Sequence, residues 1–223
     1  MVTRLCDDGA VFLMRVALPD RPGSLGAVAT AIGTMGGDIF AVAIVQRSDG
    51  LAVDDFILDL PPGRFPDTLV SVCHGIEGVH VEWISRYPEG AGLETDLEAL
   101  ERMTSDPDQA AETLTLCAPG VFHTHWALLA DCTDPPVVTF STPLAPALSS
   151  VQLSSFAPFG TPRRVEPDQE LLDSWGDTEI AMVPVPCSRV LVVGRQGGPA
   201  FHDSELARLA HLAGLVPRTP HTD

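Results

Sequence analysis

Cysteine and histidine are the most reactive side chains in the sequence, and Cys117, His123, His125 and Cys132 lie close enough together to suggest a metal centre. Thiolate and imidazole ligands suit zinc. On a strand His123 and His125 would share a face, but Cys132 stands seven residues beyond His125 and would project from the opposite one. The spacing also matches no standard zinc pattern, so core cysteines and helix-end histidines are expected instead. Cys73 and His74 are adjacent, which on a helix turns them about 100° apart and away from nucleophile-base geometry. Cys73 therefore reads as core. Gly23-Ser24-Leu25-Gly26 lacks the upstream glycine of a hydrolase G-x-S-x-G elbow, and Ser24 reads as a helix cap. Gly194-Arg195-Gln196-Gly197-Gly198 has the setting of a phosphate loop but neither the G-x-G-x-x-G nor the lysine-bearing pattern. It reads as a plain strand-to-helix connection. Arg163-Arg164 reads as a small basic spot.

One segment offers a more coherent chemistry. In Pro19-Asp20-Arg21-Pro22-Gly23, Gly23 permits close backbone approach, and the first-turn N–H groups of the helix that follows form a ready anion site. A carboxylate could dock there. Asp20 supplies the opposite charge for an ammonium group, so the pair suits a free α-amino acid better than a phosphate.

Composition narrows the alternatives. The 223 residues carry 13 basic and 30 acidic side chains, a formal charge of −17, which opposes nucleic acid and anionic membranes as partners. All the basic residues are arginine, and lysine and asparagine are absent altogether. Schiff-base chemistry, the phosphate-loop lysine, the kinase strand lysine and N-glycosylation are thereby excluded. With 45% hydrophobic and 19% charged residues the chain can build a core, while 19 glycines and 20 prolines predict long loops. Five cysteines, an odd number without a close CxxC pair, fit reduced thiols rather than a disulfide framework. The longest apolar stretch, Ile39 to Val45, is far short of the roughly 20 residues of a membrane helix, and Asp7 and Asp8 interrupt any signal peptide. A cytoplasmic protein with no membrane partner and no cofactor is expected.

The elements that must position the loop are legible from periodicity. Phe12 to Leu18 reads as a strand that stops at Pro19 to Gly23, and Leu25, Val28, Ala29 and Ile32 mark one face of a helix that Gly36-Gly37 ends. Asp38 to Val45 and Leu51 to Leu60 read as a hairpin about Ser48-Asp49-Gly50, with Phe56, Leu58 and Leu60 on one face. Leu69, Val72, Cys73 and Ile76 then repeat at helical spacing, and Val79, Val81 and Trp83 alternate in a last strand. The order βαββαβ is that of a ferredoxin-like split βαβ arrangement.

The run Arg15-Val-Ala-Leu-Pro-Asp-Arg-Pro-Gly-Ser-Leu-Gly-Ala-Val-Ala, followed by Gly36-Gly37-Asp38-Ile39, resembles an ACT domain, an amino-acid-sensing module of enzymes and regulators. The resemblance spans residues 10–88. It implies pairing of two chains, with an amino acid held between the loop of one (Pro19, Asp20, Pro22, Gly23, Ser24, Leu25) and the start of the second strand of the other (Asp38, Ile39). Many amino-acid-binding relatives carry Asn where this chain has Asp38.

Residues 89–106 form an acidic segment whose Leu93, Leu97, Leu100 and Met103 predict a linking helix with a narrow apolar stripe. A second domain follows over 107–217. Pro107-Asp108 starts a helix toward Cys117, strands are expected at Trp126 to Ala130 and Val137 to Phe140, and Ser141 to Asp177 reads as a long loop with one helical stretch, Gln169 to Trp175. Ile180 to Val185 and Val190 to Val193 are further strands. Asp203 or Ser204 is expected to cap a helix with Leu206, Leu209, Ala210 and Ala213 on one face. The ending from Arg189 to Ala210 resembles the last strand and helix of a GAF domain, which implies a small α+β fold with a central antiparallel sheet.

The expected fold class is thus α+β throughout, and the expected function is regulatory rather than enzymatic. Amino acid bound at the Asp20 to Leu25 loop would favour one arrangement of a homodimer, and that preference would pass to the GAF-like domain. The alternatives are a detached regulatory subunit bound to an amino-acid biosynthetic enzyme, and an enzyme using the Cys-His cluster.

Overall fold

In the computed structural model, which describes residues 10–86, 96–166 and 177–218, the apolar run of both parities along Ala10–Pro19 makes a central strand, β1. Chain contacts divide the protein into two units, Met1–Glu89 and Gly90–Asp223. The first continues with α1 (Ser24–Thr34), β2 (Asp38–Ser48), β3 (Leu51–Leu60), α2 (Pro66–His74) and β4 (His80–Arg86). Its four strands pair antiparallel in the order β2-β3-β1-β4.

The β2-β3 hairpin closes through Asp49 and Gly50, whose φ values of 53° and 78° suit the right-handed twist of the paired strands. Phe12, Met14, Val16 and Leu18 of β1 and Ala52, Phe56, Leu58 and Leu60 of β3 pack with Val28 and Ile32 of α1 and Leu69 and Cys73 of α2. Both helices therefore cover one face. The strand β2 differs from its neighbours: it is an edge, and none of its 11 residues is buried.

The second unit contains α3 (Asp96–Ser105), a 3-10 turn (Pro107–Gln109), α4 (Ala110–Phe122), β5 (Trp126–Asp131), β6 (Val137–Ser141), α5 (Ser150–Ser154), β7 (Arg163–Val165), β8 (Thr178–Val185), β9 (Arg189–Gln196) and α6 (Asp203–Gly214). Five antiparallel strands run in the order β6-β5-β9-β8-β7. Both faces of this sheet are apolar, which is why β5, β8 and β9 read as continuous hydrophobic runs. Ala127, Leu129, Val183, Leu191 and Val193 pack with α3, α4 and α6. On the other side Leu128, Met182, Val190 and Val192 pack against Leu153 and Phe156, in and just after α5.

Three local expectations change. The buried side of α3 is Ala99 and Met103, inside the core of the second unit, while Leu97 is exposed; helical phase, not leucine content, sets the face, and Leu93 lies outside the described residues. The long Ser141 to Asp177 segment contains α5, started by a Ser149/Gln152 capping box, and the short strand β7. Both are too short for periodicity to reveal. The expected Gln169 to Trp175 helix lies outside the described residues. Finally, α6 is capped by His202, with Glu205 reciprocating, in place of Asp203 or Ser204. Among the described residues no helix is long and apolar enough to cross a membrane.

Candidate functional site

The loop after β1 is built by backbone bonds that hold it against the hairpin turn. Asp20 N–H donates to Gly50 O at 2.8 Å and Arg21 N–H to Pro19 O at 2.8 Å. Gly23, at φ 94° and ψ −18°, is the N-cap of α1 and offers no side-chain acceptor to the first-turn amides. A left-handed residue at this cap is why glycine stands here. Ser24 is therefore not the cap that its type suggests; it is the first helical residue and is buried. The first turn also lacks any acidic residue, so the positive end of the helix is uncompensated by its own side chains.

Asp20 is exposed and faces Arg47 of β2 in a loose 3.7 Å ion pair. Pro19 lies at the end of β1, and Leu25 shows an apolar side chain to solvent in the first turn of α1. Asp38 and Ile39 sit elsewhere. Asp38 pairs with Asp59 at one end of the β2-β3 ladder, whereas the loop adjoins the Ser48 and Leu51 end. Eight ladder positions at about 3.3 Å each separate them by roughly 25 Å. Within one chain the expected residues thus form two groups. The Asp38 carboxylate accepts Ile39 N–H at 3.0 Å, and Asp59 accepts Asp38 N–H at 3.0 Å.

A pair of acids on β3 adds what the loop reading did not include. Asp55 accepts a bidentate bond from Arg15, with Nε at 2.7 Å and Nη2 at 2.8 Å, and both side chains are buried. Asp54 points to the opposite, helix-covered face. It is 3% exposed, and its Oδ1 is buried with no hydrogen-bond partner among the described residues. Burial pushes its carboxyl above the ordinary carboxylate range, against the pull of the Arg47 charge, with Asp55 and Asp20 adding a smaller upward push. Two consecutive acids within the apolar strand Leu51–Leu60 were the signal in the sequence.

The other chemical candidates are engaged structurally. Cys117 is buried in the core with α4, His123 ends that helix at φ 51°, and His125 Nδ1 accepts Gln196 N–H at 3.1 Å. No group of three or more metal-ligating side chains is present among the described residues. Cys73 is buried and its thiol is pushed up by burial, which makes it a poor nucleophile, while His74 Nε2 accepts Val81 N–H at 3.1 Å. In the Gly194 to Gly198 connection the Arg195 side chain packs on Gly198, where a Cβ would lie 2.3 Å from its Cγ, and its guanidinium is taken up by Glu205 and by backbone carbonyls. Arg163 and Arg164 tie loops down. Arg163 donates to the carbonyls of Phe156 and Ala157, and Arg164 to Phe201 O and to Asp203.

The second unit also has an open cavity of about 580 Å³ beside the β8-β9 turn, lined by Cys132, Cys187, Arg189 and Arg218 among others. Burial and the Asp131 charge push the Cys132 thiol up to about 11. On the sheet face where α5 packs, Leu153 and Phe156 lie against Leu128, Met182, Val190 and Val192.

No family model matches the chain, and no curated protein matches it. Among solved structures, the GAF domain of a phosphoenolpyruvate-protein phosphotransferase from Coxiella burnetii is similar at 16% identity and a TM-score of 0.36, over 53% of this chain and 90% of that one. An unknown protein from Galdieria sulphuraria aligns over 92% of both chains at 12% identity and a TM-score of 0.34. A formyltetrahydrofolate deformylase from Pseudomonas putida aligns over 92% of this chain and 94% of its own, at 8% identity and a TM-score of 0.30. Likenesses at such scores do not establish a shared fold, and the architecture stands as a mixed α+β chain with two antiparallel sheets.

Proposed function

We propose that the chain is a non-enzymatic, cytoplasmic regulator whose first unit, a ferredoxin-like βαββαβ domain of the ACT kind, binds a free α-amino acid as a homodimer. The second unit, GAF-like in this reading, receives the signal. The observation that carries the reading is the split of the expected site along β2. Asp38 and Ile39 lie at one end of this edge strand and the Pro19 to Leu25 loop adjoins the other. Antiparallel pairing of two β2 strands about a two-fold axis brings the start of each strand beside the loop of its partner.

The surface of β2 favours such pairing. Val42 and Ile44 stand opposite Phe56 and Asp54 on the helix-facing side and remain exposed, as does Leu25 in the first turn of α1. An 11-residue edge strand with apolar side chains and no proline is a template for a second copy. Bulges between Ile39 and Ala41 and between Ile44 and Gln46 confine the flat stretch to its centre. A carboxylate would then meet the amides of the first turn of α1, and an ammonium group the acids beside them.

The test combines ligand and assembly. Light scattering on the purified chain should give a dimer, and millimolar panels of the common L-amino acids should raise the melting temperature for one or two of them. A ligand at about 100 times its Kd adds about 2.7 kcal/mol, or roughly 5 to 10 °C for a chain of this size. Ile44→Glu should give a folded monomer that no longer responds. A monomeric wild type, or a monomeric variant that responds as well as the wild type, rules out the shared site.

A further inference from the structure

Asp54 is a buried acid that the fold leaves unsatisfied. Among the described residues its Oδ1 has no hydrogen-bond partner, and a buried carboxylate oxygen without one lowers stability unless something outside the chain compensates it. Its row on the sheet is Val16, Asp54 and Ile44, and Val28 of α1 packs in the same cluster as Val16, Ala52 and Phe56. The charged groups that act on it are Arg47, its neighbour Asp55, and Asp20 of the loop.

The surroundings have the charge pattern of a zwitterion's receptor. Positive character comes from Arg47, and negative character from Asp20 at the exposed rim and Asp54 inside, while the loop that carries Asp20 leads into the first turn of α1, which has no acid of its own. These are two independent features, a helix N-terminus without its own acid and a buried carboxyl with one oxygen unpaired among the described residues. The open side of a single chain is the β2 side, where the second copy would pair and the ligand would lie between the two. Ile44 is 54% exposed, and the Arg47 side chain is 58% exposed and pairs loosely with Asp20 at 3.7 Å. Displacing one flexible side chain costs little, because an exposed pair of this kind contributes at most about 1 kcal/mol.

We infer that Asp54 is the acceptor for the ammonium group of the bound α-amino acid, with Asp20 serving at the rim as the partner of Arg47. The inference rests on the amino-acid reading above and names the group that gives it selectivity. An ammonium beside Asp54 forms a charge-assisted bond in a site removed from water and supplies the missing partner. A 2-hydroxy acid of the same side chain offers no such cation.

Calorimetric titration decides it, using the L-amino acid that gives the largest thermal shift, together with its 2-hydroxy counterpart. Asp54→Asn keeps the shape and removes the charge, so the ligand-free variant should melt above the wild type. Its affinity for the amino acid should fall by about tenfold or more, the loss of one charge-assisted hydrogen bond, and by more than in Asp20→Asn. The 2-hydroxy acid should bind wild type and Asp54→Asn alike. Asp54→Ser repeats the measurement in a smaller side chain should the asparagine variant fail to fold. Unchanged amino-acid affinity in Asp54→Asn, or a greater loss in Asp20→Asn, overturns this assignment and leaves the sensor reading standing. A wild type that binds none of the common amino acids overturns both.

Discussion

Arg195 Nη2 donates to Glu205 Oε1 at 2.8 Å, and the two side chains are 1% and 9% exposed. The same guanidinium donates to Phe122 O, His123 O and Pro199 O and lies 4.2 Å from the centre of the Phe201 ring. Glu205 in turn accepts the N–H of His202 at the cap of α6. One ion pair thus joins the end of α4, the end of β9 and the start of α6. Removing one partner of such a pair leaves the other charged and buried, at a cost of about 3–5 kcal/mol. Glu205→Ala should lower the urea midpoint of the second unit accordingly. A loss under about 1 kcal/mol, within the range of an exposed pair, would show that the carbonyls alone hold Arg195.

Gly194 lies against the Trp126 indole across the β5-β9 ladder, and a Cβ there would come within 2.0 Å of Cε2 and 2.1 Å of Cζ2. An aromatic ring cannot deform as a flexible chain can. Gly194→Ala should therefore cost about 1–3 kcal/mol, the range of overpacked cores, and should shift the tryptophan fluorescence. Trp126→Phe in the same background should recover part of the loss. The absence of any recovery would place the strain in the backbone instead.

How much of an element its sequence reveals depends on what that element buries. The βαββαβ order was visible because β1, α1 and β3 each carry a long periodic signal that matches the face they bury, as with Phe56, Leu58 and Leu60. The loop was visible because proline and glycine restrict the backbone in ways that type alone reveals. Ser24 misled because capping preference reflects local chemistry, whereas the actual cap follows from the φ of 94° at Gly23. Arg164 reads as part of a small basic spot and Arg195 as part of a plain strand-to-helix connection, since nothing in a single sequence tells which carbonyls a guanidinium will reach. Asp54 shares the parity of Phe56, Leu58 and Leu60, so alternation alone puts it on their face, but an acid in a strand is expected to face water, and only the packing shows it sealed under the helices.

Burial, followed by the charge of Arg195, holds the His125 imidazole below its ordinary value of 6.5. The folded chain therefore binds this proton less readily than the unfolded one. By linkage His125 contributes no loss of stability above pH 6.5, and stability falls as the pH drops from there toward the lowered folded value. The neutral ring is also the form whose Nδ1 can accept the Gln196 N–H. His125→Gln keeps an acceptor without the titration, so its denaturation midpoint should vary less between pH 7 and 5 than that of the wild type. Parallel curves for the two proteins would assign the acid sensitivity to other groups.

Gly23 and Gly26 form an internal control for the loop. A Cβ at either would meet nothing within 4 Å, so packing plays no part in the outcome of an alanine substitution. What differs is the backbone: Gly23 is held at φ 94°, while Gly26 lies in the helical run of α1. An L-residue at Gly23 pays roughly 1–2 kcal/mol for the left-handed conformation. At Gly26 the same change should stabilise by about 0.5–1 kcal/mol, because alanine loses less conformational freedom in a helix than glycine. The two variants should move the melting temperature in opposite directions. If Gly23→Ala keeps its melting temperature, the loop relaxes out of the left-handed cap, and amino-acid binding in that variant should weaken because the first-turn amides of α1 lose their fixed direction.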